Sequence, residues 1–293
     1  MLFKKPESGW IYLYYMNGGN CMSWGILAGQ GLLPFEVARG MRNEGIEPVI
    51  LCLAGNAELF RKEGFSAGEE ALGQLAAVRR FLQEHQVDRL VLAGRVGKEA
   101  LFSGKGLDQE LMNLFTQLEE KNDDALQLAV VRYFEEHGIE IETQTRFLTH
   151  LIPQEGLLAG PALNEQEKQD LKFGFRMAKE IGGLDIGQSV AVKNGMILAV
   201  EAVEGTDQTI LRAGKHGGPG NVVVKVAKPQ QDLRFDLPTV GLTTLEALIT
   251  SQARVLGVEA GATFILDKEK FLDGAEKHGI SVVAIKDLTS FGK

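Results

Sequence analysis

The chain is poor in cysteine, in long apolar runs and in positive charge, and each shortage excludes a class of protein. Cys21 and Cys52 are the two cysteines among 293 residues. Neither sits in a Cys-x-x-Cys pair or a metal-ligand spacing, which argues against a disulfide framework and a thiolate zinc site. The reducing cytoplasm is the expected compartment. No apolar stretch reaches the roughly 18–20 residues that a membrane-spanning helix needs, so any contact with lipid is expected to be peripheral, at the inner-membrane surface. The net charge is −8, from 31 Lys and Arg against 39 Asp and Glu. Affinity for a phosphate backbone comes from clustered cations, so nucleic acid is not an expected partner. A small phosphorylated ligand needs only a local basic pocket and is not excluded.

What remains is an ordinary globular composition, 44% hydrophobic and 24% charged, enriched in glycine. Such a length predicts two domains, each with its own core. Residues 1–21 hold Lys4, Lys5 and a short aromatic run at 11–15 with no signal-peptide cleavage pattern. They are expected to be a non-native extension, followed by one domain over 22–150 and a second over 151–293.

Periodicity supports an α/β fold. Residues 23–28, 48–53 and 89–93 read as continuous apolar strands. Residues 34–44, 71–84 and 125–137 have helical spacing, and 139–143 alternate as a strand. Strands buried on both faces and separated by helices predict a parallel sheet, Rossmann-like in its rhythm. The second half reads as a mixed α/β domain. It has a helix over 165–181, a hairpin at Asn194-Gly195 and strands at 221–226, 263–266 and 280–285. Helices are expected over 245–255 and 268–278.

Four segments hold candidate chemistry. Gly29-Gln30-Gly31 follows the first strand and opens a helix; it is either a structural turn or a ligand loop where free N–H groups and the dipole favour phosphate. The third glycine of the dinucleotide fingerprint is replaced by Pro34, and the second strand ends without a ribose-binding acid, which disfavours a NAD-linked dehydrogenase. Glu204-Gly205-Thr206-Asp207 either caps a helix or sets carboxylates and a helix start against a metal diphosphate, with Arg212 as a phosphate fork. The stretch 214–220, with Lys215 and His216 among glycines, reads as a loop that is either a connection or a phosphate cradle. Lys225, Lys228 and Arg234 interleave with Asp232 and Asp236 in a proline-bounded stretch. That stretch is either a salt-bridged surface loop or the inventory of a phosphoryl-transfer site.

Taken in order, GILAGQGLLP, NDDALQLAVVRYFEEHG, LIPQEGLLAG, EGTDQTILRAG, KPQQDLRFDLPTVG and GVEAGATFIL resemble the LpxI family of UDP-2,3-diacylglucosamine pyrophosphatases of lipid A biosynthesis. The resemblance runs from about residue 24 to 285. It implies two α/β domains with the lipid substrate in the cleft between them, and hydrolysis of the pyrophosphate to UMP and 2,3-diacylglucosamine 1-phosphate by attack on the sugar-side phosphorus. It also implies Mg²⁺, with Mn²⁺ as a substitute, and a catalytic carboxylate placed at Asp236 or Asp232, with Asp236 favoured. Asp236, Asp207 and Glu204 are the expected metal ligands. Gly29, Gly31, Thr206, Arg212, Lys215, Lys225, Lys228 and Arg234 are expected to bind substrate. A homodimer is the base-rate expectation. The rival reading is a nucleotide-sugar or lipid-phosphate binding regulator without turnover.

Overall fold

The computed structural model describes residues 22–96, 106–118, 123–232, 234 and 237–287. The extension at 1–21 and Asp236 therefore lie outside the described residues.

The first half begins with strand β1 (Trp24–Ala28), helix α1 (Leu33–Asn43), β2 (Val49–Cys52), α2 (Ala57–Lys62) and β3 (Ala67–Glu69). It continues with α3 (Leu75–Glu84), β4 (Arg89–Ala93), α4 (Gln109–Thr116), α5 (Asp123–Glu136) and β5 (Glu140–Glu142). The strands lie in the order β3-β2-β1-β4-β5, all parallel. Apolar side chains leave both faces of this sheet. One face packs Ile26, Ile50 and Val91 on α1 and Phe60, and the other packs Leu51 and Leu90 on α3, α5 and Phe134. The strand order reverses between β1 and β4, where open α/β sheets form a crevice at their carboxyl ends.

Three helices of this half are joined by one polar network. The Tyr133 hydroxyl on α5 donates to Glu110 on α4 and accepts from Arg79 Nε on α3 at 2.8 Å; Arg79 Nη2 also reaches Glu110 at 2.9 Å. Hydrogen bonds from Arg79, then from Tyr133, hold the Glu110 carboxyl below the usual range, and burial pushes the Tyr133 phenol up to about 12. Replacing Tyr133 with phenylalanine is expected to cost roughly 1–3 kcal/mol, since two charged partners lose a bond. The Glu110 contribution is present above the ordinary carboxylate pKa and fades as pH falls through its lowered value. Urea melts of Tyr133→Phe should therefore show a smaller loss of stability on acidification than wild type. An equal slope would mean that the phenol does not support the ionised carboxylate.

The second half comprises β6 (Gly156–Ala159), α6 (Glu165–Gly183), β7 (Ser189–Lys193), β8 (Met196–Val200), α7 (Thr206–Gly217) and β9 (Val222–Lys225). These are followed by β10 (Thr239–Val240), α8 (Leu242–Thr250), β11 (Val255–Glu259), β12 (Phe264–Ile265), α9 (Lys268–Lys277) and β13 (Ser281–Ile285). The main sheet runs β6-β13-β11-β9-β7-β8. Its centre, β13-β11-β9, is parallel and its flanking pairs are antiparallel; β10 and β12 form a separate parallel pair. The expected mixed α/β architecture is present.

The Asn194-Gly195 hairpin joins β7 to β8, with both residues at positive φ (51° and 76°), as a type I′ turn requires. The buried Asp170 carboxylate on α6 accepts both turn N–H groups at 2.7 Å and ties the hairpin to the helix. Two expectations need correction. The helix expected over 245–255 ends at Thr250; Gln252 turns left-handed, and Val255–Glu259 becomes the strand paired on both sides by β9 and β13. A short apolar run is compatible with either state, and pairing on both sides decides this one. The loop expected over 214–220 is instead the last turn of α7 as far as Gly217. A methyl on Gly214 would lie 2.6 Å from Ser251 Cβ. That glycine lets the helix pack against the chain leaving α8 and does not mark a loop.

Candidate functional site

At the carboxyl ends of β1 and β4, two loops are laced together by backbone. Gly29 N–H donates to the Ala93 carbonyl at 2.8 Å, Gln30 N–H to Arg95 at 2.7 Å, and Arg95 N–H returns to Gln30 at 3.0 Å. A methyl on Gly29 would stand 2.5 Å from the Arg95 carbonyl oxygen. Close approach of two backbones is thus the reason for glycine there, and its N–H is already committed. Gly31 is exposed, at φ 97°, with open space around its Cα. A separate hollow of about 420 Å³ beside Val49, Arg61, Phe65 and His85 includes the first residues of β2 and β3. It lies at the opposite ends of the strands from the glycine loops, away from the usual ligand side.

The most concentrated polar chemistry lies at the end of β9. Lys225 is the last residue of that strand and stands opposite Ser189 on β7. Its Nζ lies 2.7 Å from Thr206 Oγ1, at the first residue of α7. The Thr206 hydroxyl is 2.9 Å from Glu201 Oε1, and Ser189 Oγ is 3.4 Å from the same hydroxyl. Relative exposures are 7% for Lys225, 8% for both Thr206 and Glu201, and zero for Ser189. Charged side chains are seldom buried without partners, and this cluster supplies them. Thr206 and Lys225 were legible as candidates. Glu201 and Ser189 were not, although a lone acid closing the apolar run of β8 was the available signal.

The chain that leaves β9 is pinned at its root. Lys179 on α6 meets Glu259 at 2.6 Å and the Ala227 carbonyl at 2.8 Å, while Ala227 N–H donates to the same Glu259 oxygen at 2.8 Å. Farther along, Lys228 pairs with Asp185 at 2.5 Å. Asp232 accepts from Arg234 at Nη2 (2.7 Å), Nε (3.0 and 3.1 Å) and the backbone N–H (2.9 Å). The Arg234 guanidinium holds the Asp232 carboxyl below the ordinary range. Arg234 also reaches Glu135 on α5 at 2.9 Å, linking this segment to the first half.

On α7, Arg212 is paired with Glu204 and donates to the Val200 carbonyl at 2.7 Å. A bond from its own backbone N–H, assisted by Arg212, lowers the Glu204 pKa. Asp207 accepts the Thr244 hydroxyl of α8 at 2.8 Å. Glu204, Gln208, Leu211, Arg212, Lys215 and His216 line an open groove of about 650 Å³. The structure thus brings together Lys225 with Thr206, Glu204 with Arg212, and Asp232 with Arg234. Among the described residues, no three His, Cys, Asp or Glu side chains converge as a metal cage. Glu204 is paired with the Arg212 guanidinium, while Asp207 accepts one hydroxyl at Oδ1 and keeps its other oxygen for a cation.

These features define an α/β protein with two principal sheets, whose Lys225–Thr206–Glu201 cluster lies at the carboxyl end of β9 in the six-stranded sheet. The chain belongs to the LpxI family: residues 23–151 match the LpxI N-terminal domain and residues 154–283 the LpxI C-terminal domain. A protein of Caulobacter vibrioides named UDP-2,3-diacylglucosamine pyrophosphatase LpxI is 31% identical over 275 residues, covering 89% of this chain and 96% of that protein. Among the described residues, no helix is long and apolar enough to cross a membrane.

Proposed function

We propose that the protein hydrolyses the pyrophosphate of UDP-2,3-diacylglucosamine, releasing UMP and 2,3-diacylglucosamine 1-phosphate, as a cytoplasmic step of lipid A biosynthesis. The observation that carries this reading is similarity over nearly the whole length of a relative so named. The site chemistry agrees with it. The cluster at the end of β9 offers a buried ammonium and hydroxyls next to a helix start, a setting in which charge on a diphosphate is offset with little competition from water. Lys225, with Thr206, is assigned to the diphosphate, and Lys228 and Arg234 to the approach along the segment that leaves β9. Gly31, Arg212 and Lys215 remain candidates for the nucleotide or sugar. Gly29 serves through its backbone packing.

The substrate's two acyl chains carry most of its apolar area, at roughly 0.8 kcal/mol for each buried CH₂. The reading therefore includes an apolar cleft between the two halves and peripheral contact with the inner-leaflet surface, and it retains the homodimer. Mg²⁺, with Mn²⁺ as a substitute, would supply Lewis-acid stabilisation of the phosphoryl oxygens. Its proposed principal ligand is Asp236.

The test is product analysis with UDP-2,3-diacylglucosamine and Mg²⁺, in ¹⁸O-water, with and without EDTA. Equimolar UMP and diacylglucosamine 1-phosphate are expected, with label in the sugar phosphate and turnover lost on chelation. Folded protein that binds substrate and releases no UMP would replace hydrolysis by the binding-regulator reading. Undiminished turnover in EDTA would remove the metal from the reaction.

A further inference from the structure

We propose that Glu201 is a positioning residue that acts on Lys225 through the Thr206 hydroxyl and so sets the direction of the ammonium at the end of β9. The inference rests on the hydrolase reading above and deepens it by adding residues that the sequence motifs did not reveal.

Hydrogen-bonding capacity fixes the direction of the chain of contacts. An ammonium can only donate, an ionised carboxylate can only accept, and a threonine hydroxyl has one proton and two lone pairs. Lys225 Nζ, 2.7 Å from Thr206 Oγ1, must donate to it. The hydroxyl proton then goes to Glu201 Oε1 at 2.9 Å. Ser189 Oγ, 3.4 Å from the same oxygen, is left to donate. The other Glu201 oxygen faces the Gln188 N–H at 3.3 Å. Donors therefore point from Lys225 to Thr206 to Glu201; the ammonium fixes the first bond and the carboxylate the second.

Burial makes the arrangement consequential. Lys225, Thr206 and Glu201 are each more than nine-tenths buried, and a charge withdrawn from water needs a partner nearby. A neutral group at Glu201 would replace the charged acceptor of the Thr206 proton with a weaker one and loosen the hold of that hydroxyl on Lys225. The Thr206 contact of the ammonium would then be less firmly set where the chain enters the segment holding Lys228, Asp232 and Arg234.

The experiment is a double-mutant cycle on UMP release from UDP-2,3-diacylglucosamine. It compares wild type, Glu201→Gln, Lys225→Met and the double variant, at a temperature where thermal melts show all four folded. Glu201→Gln is expected to lower kcat/KM by about 10- to 100-fold, the scale of one charge-assisted hydrogen bond. Lys225→Met should lower it at least as far, with the same division between kcat and KM, and the double variant should be no worse than Lys225→Met. A purely structural Glu201 would instead add its loss to that of Lys225→Met, and additive losses overturn the proposal. So does a folded Glu201→Gln with wild-type kcat/KM. If Glu201→Gln does not fold, Glu201→Asp, which keeps the charge and shortens its reach, takes its place under the same criteria. Wild type that releases no UMP overturns the hydrolase reading and this inference with it. Wild-type turnover with uncoupled variants overturns the inference alone.

Discussion

Truncation of Phe264 to alanine is expected to lower the stability of the whole chain by about 3–5 kcal/mol, the range for deleting a large, fully buried aromatic side chain. Phe264 has no exposed surface, and its cluster includes Trp24, Ile26, Phe35, Ile50, Phe60 and Val91 of the first half. Leu237 joins the same cluster. The backbone at Phe264 is fixed as well: its N–H donates to the Pro238 carbonyl at 2.8 Å, within the small β10-β12 pair. Removal of the ring therefore loses its transfer free energy and leaves a cavity whose walls are held by both halves. The measurement is a urea melt followed by tryptophan fluorescence, which Trp24 reports from the cluster, and by far-ultraviolet circular dichroism, which reports both halves. A loss under 1 kcal/mol would mean that the side chain contributes little to joining the halves. Two separate transitions would mean that they unfold independently.

The same residue shows where sequence reading stops. A short strand around Phe264 was legible from its apolar, β-compatible run. Its companions from the first half were not, because they come from residues more than a hundred positions earlier and no local period encodes them. The first sheet was easy by comparison, since β1, β2 and β4 are continuous apolar runs with glycine at their ends, and parallel burial leaves few alternatives. Strand β11 was hard for the opposite reason: Val255-Leu256-Gly257-Val258 carries no alternation, and only its neighbours make it a strand. At the candidate site, charged residues near glycine and proline were visible as types, but their partners were not. The residues at 204–207 offered Glu204 as a carboxylate for a metal, and its pairing with Arg212 was not visible. The glycines at 214 and 217 read as part of a loop, either a connection or a phosphate cradle, whereas close packing against Ser251 and Leu198 accounts for them. Glu201 drew no attention because a single acid after an apolar strand usually marks the return to solvent, and here it is buried.

Of the two carboxylates that the resemblance offers for catalysis, Asp232 lies among the described residues, and its surroundings bear on its role. A general base needs an accessible lone pair and a pKa not far below the working pH. Asp232 has neither. Its oxygens take the Arg234 fork at 2.7–3.1 Å and the Arg234 backbone N–H, and the guanidinium holds its pKa below the usual carboxylate range. The sign follows: Asp232 is ionised above the ordinary value of about 3.9, and its bond to Arg234 is lost only as pH falls through the lowered value. An acid limb in kcat near pH 6 would therefore report another group. Asp236→Asn is expected to reduce kcat by roughly 10²–10⁴-fold, the usual cost of removing an acid–base group, with KM little changed. Asp232→Asn should act mainly on KM, by about tenfold, the scale of one bond to a charged group. It leaves Arg234 its contact with Glu135, 2.9 Å away, but frees the guanidinium to swing from its place. Steady-state UMP release for both variants separates the roles. A kcat collapse confined to Asp232→Asn would reverse the assignment, and the Arg234 clamp would then have to open before each turnover.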